Sequence, residues 1–196
     1  ILNRYLEPYA YHKVIMTTSL PGLKNFFSLR CPNYNHGDKT FYSRKDVIKD
    51  ISLDKNYTQK DTEYAQGLSD LEWLKRNSAD GEIHISILAE LMWDAYNEST
   101  PDELLEKEYH IPYSKDIKFI EMTTGLSLED KIKVSIGMCA RVSYTPVGDE
   151  STLSAKTYIR IYDKMVQATP FHASPFEHVA RVMTDDEYYR FIKGNL

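Results

Sequence analysis

Residues 82–96 read EIHISILAELMWDAY, and this stretch sets the class of the fold. Its apolar positions Ile83, Ile87, Leu88, Leu91, Met92 and Ala95 recur at helical, not strand, spacing. The spacing predicts a helix with that set as its apolar face. Upstream, a second helix is predicted from Ser19 to Arg30. Ser19 caps it, and Pro21 falls in the first turn, where a missing N–H is tolerated. Residues 31–77 change character, with CPNYNHGDKT in front and KDISLDKNYTQKDTEYAQ behind. They read as a polar insertion, a surface excursion with one or two short helices, the second near Leu68–Leu74.

Downstream, Thr100-Pro101-Asp102-Glu103 combines a cap, a proline at the first helical position and an acid three residues after the cap. It predicts a further helix, with His110-Ile111-Pro112-Tyr113 closing that unit. Ser127 and Asp130 open a helix through Ile132, Ile136, Cys139 and Ala140. Thr152 to Ala168 reads as another, with Ile159, Tyr162 and Val166 on one face. Thr184 and Glu187 cap a last short helix that stops at Lys193-Gly194. Strand signals are few, and Lys118–Met122 and His178–Met183 carry the best of them. The expected class is α/β in the α+β sense, mostly helical with long helices and a small sheet.

The whole chain has 196 residues, 42% hydrophobic and 27% charged. That is enough apolar material for a core, so disorder throughout is excluded. No apolar run is long enough to span a bilayer, and no membrane partner is expected. Lys and Arg number 24 against 29 Asp and Glu, a net charge of −5. Such a balance gives no support for binding a nucleic acid polymer, although a local anion pocket is compatible with it. Two cysteines, Cys31 and Cys139, fit a reducing compartment, and the expected location is cytoplasmic. The chain begins at Ile1 without Met and reads as a piece of a longer protein.

Four constellations could carry chemistry. In Asn25-Phe26-Phe27-Ser28-Leu29-Arg30, Phe26, Phe27 and Leu29 are expected to point inward. Asn25 and Arg30 fall about one and a half turns apart. Arg30 is either an anion fork or simply a C-terminal charge favoured by the helix dipole. Ala140-Arg141-Val142-Ser143-Tyr144 ends a helix where a hydroxyl could meet a phosphate, or is a plain terminus. His172-Ala173-Ser174-Pro175-Phe176-Glu177-His178 packs two imidazoles, a carboxylate and a hydroxyl into seven residues. Pro175 is expected to hold Ser174 extended. The spacing matches no helical zinc motif, so no metal is expected; the plain reading is a polar turn entering a strand. Asn3-Arg4-Tyr5-Leu6-Glu7-Pro8-Tyr9 alone suggests only a surface Arg–Glu pair. Neither cysteine has an adjacent base that would mark a nucleophile.

Together these pieces resemble the flavin-dependent thymidylate synthases. NRYLEPY, NFFSLR followed by Glu82-Ile83, ARVSY and HASPFEH are similar to that family's blocks, over residues 1–30, 79–97 and about 134–183. The NFFSLR block precedes ARVSY, an order that resembles the phage-type branch, which would place the protein in a host cytoplasm. Glu108-Tyr109-His110-Ile111-Pro112-Tyr113 is similar to a further piece of that branch. The resemblance implies reductive methylation of dUMP to dTMP, with methylenetetrahydrofolate as one-carbon donor and NADPH reducing through FAD. It implies a fold with long helices, of which residues 1–196 would be a single partial domain with 31–77 inserted, and a homotetramer with active sites between subunits. Arg4 and Arg30 would contact dUMP, with Arg30 the catalytic candidate. Asn25, Leu29, Ser143, His172, Ser174 and Glu177 would lie at FAD.

The sequence departs from the family in two respects. It contains no Arg-His-Arg run with spaced serines, which in that family binds flavin and substrate phosphate, so the chain is expected to be a fragment or split half that binds FAD and dUMP poorly alone. The stretch after the insertion reads Ala79-Asp80-Gly81-Glu82-Ile83, with Asp80 where the family has Gln. That acid motivates an alternative, a non-catalytic nucleotide-binding or assembly subunit of the same fold.

Overall fold

The computed structural model describes residues 14–142 and 153–194. The chain is mostly helical, with two small antiparallel sheets, an α+β arrangement. It divides into two compact units, Thr18–Asp102 and Ile1–Thr17 with Glu103–Leu196.

In Thr18–Asp102, helix α1 spans Leu20–Arg30, with the Ser19 hydroxyl accepting from the Gly22 N–H at 3.2 Å. Strands β1 (Tyr34–His36) and β2 (Lys39–Phe41) form a hairpin, with Tyr34 opposite Phe41. Gly37 turns it at φ +58°, a conformation that β-carbons disfavour. Helices α2 (Arg44–Leu53), α3 (Gln59–Gly67) and α4 (Asp70–Leu74) follow. Capping boxes Thr58/Asp61 and Ser69/Glu72 start α3 and α4. Helix α5 then runs over Ile83–Glu98.

The 31–77 segment is therefore more than a polar excursion. Tyr34, Val47, Ile51, Ala65 and Trp73 bury together, with the Tyr34 and Trp73 rings edge to face at 5.4 Å. Its ends meet: Tyr34 bridges Asn77, Ser78 N–H donates to the Asn33 carbonyl at 2.9 Å, and the Asn77 side chain accepts from Asn33 N–H and Ala79 N–H at 3.0 and 2.8 Å. The chain thus leaves and returns at one closed neck. A second core joins α1 to α5 through Phe27, Cys31 and Ala89, with Phe26, Met92 and Trp93 against it.

In the other unit, β3 (Tyr109–His110) pairs antiparallel with β4 (Ala180–Arg181). Helices α6 (Ile117–Thr123), α7 (Leu128–Cys139), α8 (Ala155–Gln167) and α9 (Asp185–Ile192) belong to this unit, as does a 3-10 turn, Ser174–His178. Helix α7 carries the buried residues Val134, Ser135, Ile136, Gly137 and Cys139. Gly137 lets α8 approach: a Cβ there would stand 2.5 Å from the Tyr158 carbonyl oxygen.

Three local expectations are corrected. Lys118–Met122 lies in helix α6, not a strand. Asp116 caps that helix by accepting from Phe119 N–H at 3.2 Å, and the buried pair Phe119 and Thr123 stands at i,i+4. No helix follows Thr100-Pro101-Asp102-Glu103, and residues 101–105 are irregular. There the Glu108 carboxylate accepts from Leu105 N–H at 2.8 Å, and Lys107 N–H donates to the Val182 carbonyl at 3.0 Å, so pairing with the β4 strand draws the chain out. Of His178–Met183, only Ala180–Arg181 is strand, because the turn before it takes up His178.

Candidate functional site

The expected site residues fall in both units, and each group is built from its own element. Helix α1 buries Phe27 and leaves Asn25, Leu29 and Arg30 exposed. Leu29, expected inside, is 59% exposed, because the α1 face toward α5 is filled by Leu23, Phe26 and Phe27. Arg30 closes the last turn, where the helix dipole favours a cation. Among the described residues no carboxylate pairs with it. The Asn25 backbone carbonyl accepts from the Ser28 hydroxyl at 2.9 Å.

The second group is the 172–178 turn. Ser174 opens the 3-10 turn and is not in the extended segment expected for a residue ahead of Pro175. The Phe176 N–H donates to the Ala173 carbonyl at 2.9 Å, and the Phe176 ring lies 5.0 Å from Phe171 and 5.4 Å from Tyr162, centroid to centroid. Those ring contacts anchor the turn, which packs on α7. His178 is held by a 2.8 Å hydrogen bond between its Nδ1 and the Thr17 hydroxyl. His172, Ser174 and Glu177 point their groups outward, exposed and without a described partner. Anchored by one imidazole and one ring, the turn presents a second imidazole, a hydroxyl and a carboxylate. That set suits hydrogen bonding to hydroxyls and phosphate oxygens. Arg4 and Ser143 lie outside the described residues.

No group of three or more His, Cys, Asp or Glu side chains among the described residues is placed to hold a metal ion. A depression of about 390 Å³ runs along the first turns of α8, lined by Ser154, Lys156, Thr157, Arg160 and Asp163; none of the expected residues lines it. Both cysteines are buried. Burial, with Glu90 and Asp94 nearby, pushes the Cys31 thiol up to about 12, and burial lifts Cys139 to about 11. Neither is a thiolate at neutral pH.

Sequence reasoning missed a buried charge network on α5. Glu90 is 1% exposed and accepts from the Tyr34 hydroxyl at 3.1 Å and from Arg44 through its backbone N–H at 2.8 Å and its Nε at 3.1 Å. Arg44 also bonds Asp70. Trp93 Nε1–H donates to Asp46 at 2.7 Å, and Lys45 sits 3.8 Å from Asp94 and 2.6 Å from Glu98. Burial raises the Asp94 carboxyl, a hydrogen bond from Ser43 and the charge of Lys45 only partly opposing it. The available signal was the polar spacing Ser86, Glu90, Asp94 at i,i+4. Arg44 and Lys45 meet the buried carboxylates Glu90 and Asp94 of the same unit, so the network ties the 31–77 segment to α5.

No family model, no curated protein and no solved structure matches this chain. Among the described residues no helix is long and apolar enough to cross a membrane.

Proposed function

We propose that the chain is the substrate- and flavin-handling part of a flavin-dependent thymidylate synthase, which converts dUMP, methylenetetrahydrofolate and NADPH to dTMP, tetrahydrofolate and NADP. The observation that carries the reading is Arg30. Its guanidinium is exposed and unpaired among the described residues, next in sequence to exposed Leu29 and about one and a half turns from exposed Asn25, at the end of a helix whose continuation closes at the Asn33–Asn77 neck. A structural arginine with that much freedom is common, but here it falls in one of four family-like blocks in order.

The side chains suit the groups that the reading requires. Arg30 is a fork for the nucleotide phosphate or for a uracil carbonyl. Asn25 and Leu29 offer an amide and an apolar surface to a flat ring. Ser174, His172 and Glu177 offer hydroxyl, imidazole and carboxylate to phosphate and ribityl oxygens. FAD, when bound, supplies the hydride-transfer chemistry, and the protein supplies binding and orientation. Neither cysteine takes part, in keeping with thiols held protonated by burial.

The test is flavin binding and dTMP formation by the gene product that carries this sequence, with and without Arg30→Ala. A yellow protein that forms dTMP, and loses at least about a hundredfold in rate on Arg30→Ala, supports the reading. A colourless protein that forms no dTMP refutes it. Exposed Asp80 favours a second reading, a nucleotide-binding subunit without the chemistry. Tight dUMP binding with no flavin reduction by NADPH selects it.

A further inference from the structure

The inserted segment is tied to the rest of its unit along α5 and at its neck. Along α5, Arg44 and Lys45 meet the buried carboxylates Glu90 and Asp94, so that helix turns a polar stripe inward and leaves Leu88 and Leu91 exposed. At the neck, one side chain gathers both arms. The Asn77 Oδ1 accepts from Asn33 N–H on the outgoing arm and from Ala79 N–H on the returning arm, at 3.0 and 2.8 Å. Asn77 also stands opposite Tyr34 in an antiparallel bridge. Ser78 completes the clasp, its N–H and its hydroxyl both donating to the Asn33 carbonyl, at 2.9 and 3.1 Å. Both backbone groups of Asn33 are therefore held by residues 77 and 78, three positions beyond Arg30.

The outgoing arm has little slack. Arg30 ends α1, the Cys31 Sγ–H donates to the Ala89 carbonyl at 3.5 Å, and Pro32 is buried with its φ fixed by the ring. Asn33 is the next residue, so what holds Asn33 also holds the exit from α1. An amide oxygen carries two lone pairs, which lets a neutral Asn take both N–H groups. Asn77 belongs to neither core, that of Tyr34 and Trp73 or that of Phe27 and Ala89. It governs the course of the chain between them. We infer that Asn77 is a positioning residue: it clasps the neck and so sets where Arg30 leaves α1. Its effect on a ligand rests on the reading of Arg30 as the dUMP anchor.

The test uses the gene product that carries this sequence, with FAD supplied, and the variants Asn77→Ala, Asn77→Asp and Arg30→Ala. The first readout is amide hydrogen exchange. Asn77→Ala is expected to speed exchange at Asn33 and Ala79 at least about tenfold, and Asn77→Asp to keep the protection, because a carboxylate oxygen accepts the same two bonds. The second readout is the dUMP dissociation constant by titration calorimetry. Asn77→Ala is expected to raise it about tenfold through misplacement of Arg30, and Asn77→Asp to restore it. Added to Arg30→Ala, Asn77→Ala should raise it no further, since a positioning residue acts only through the group that it positions. Ile51→Val, a small loss in the core of the inserted segment, should leave dUMP affinity unchanged. Exchange in Asn77→Ala at the wild-type rate, equal weakening of dUMP with and without Arg30, or the same weakening by Ile51→Val overturns the inference. A wild-type protein that binds no dUMP overturns the reading of Arg30 and the dUMP half of the inference with it, whereas exchange then still supports or overturns the clasp.

Discussion

The 31–94 region and the 172–192 region use charge in opposite ways. In the first, the carboxylates of Glu90 and Asp94 are buried and matched to Arg44, Tyr34 and Lys45. In the second, the 3-10 turn and α9 bury no residue, and the polar groups of His172, Ser174 and Glu177 stand in solvent. A buried charge that is fully matched is structural, because leaving it unmatched costs several kcal/mol. An exposed polar group without a partner has nothing to do for the fold. The difference separates the residues that hold the protein together from those available to a ligand.

The comparison breaks first at the core of the inserted segment. Trp73→Ala removes a side chain 2% exposed and packed on Tyr34, and is expected to cost about 4 kcal/mol in denaturant unfolding. A loss below about 1 kcal/mol would mean that the segment adds no core of its own. Next comes Glu90→Gln, which keeps the shape but leaves Arg44 without its buried counter-charge. About 2–3 kcal/mol is expected, with little further loss when Arg44→Met is added, since the two act as a pair.

The pH dependence sharpens the contrast, because the two regions have opposite signs. Burial raises the Asp94 carboxyl above its unfolded value. The native state then holds a proton more tightly there, so stability rises as pH falls through the window between the unfolded and the raised folded value. Asp94→Asn should flatten that part of the profile. Glu187 behaves in reverse. The Arg181 guanidinium at 2.7 Å, helped by the Thr184 N–H, lowers it to about 2. Its contribution is complete above the ordinary Glu value of 4.5 and is lost as pH falls toward about 2. Carboxyl NMR titration checks this, and Arg181→Ala should return Glu187 toward 4.5.

A smaller effect is expected of the exposed set. Asn25→Ala, His172→Ala and Glu177→Ala should each change stability by no more than about 0.5 kcal/mol. A larger loss would place that residue with the structural charges. The thiols give a parallel check. Cys31 and Cys139 should resist a thiol reagent at pH 8 in the native protein and react on unfolding.

Much of the local structure was legible because it is written in caps. Ser19, Ser127 and Thr184 start their helices as read, since a side-chain oxygen meets free N–H groups one turn on. The same grammar misled at Thr100–Glu103, where pairing of residues 107–109 with 181–182 competes with a helix. It also misled at 118–122, where five residues are too few to separate strand from helix by period. The core of the 31–77 segment was hidden by its composition. Its five buried residues are spread from Tyr34 to Trp73 among charged neighbours, and only tertiary contacts gather them. The face of α5 was misread for a related reason. Apolar periodicity marks a stripe but not which partner covers it, and here the cations of the inserted segment claimed the polar stripe. The side chains of the candidate site were legible as residues, and the anchoring of the 172–178 turn by Phe176 and Thr17 was not, because Thr17 is 161 residues from His178.

The most direct test of the functional reading is to purify the gene product that carries this sequence. It is then supplied with FAD, dUMP, methylenetetrahydrofolate and NADPH, and dTMP is measured for the wild type and for Arg30→Ala. The account predicts a flavin-yellow protein that makes dTMP, and an Arg30→Ala variant that folds as well but makes at least about a hundredfold less. A protein that binds no flavin and yields no dTMP, or one whose rate is indifferent to Arg30, would contradict it.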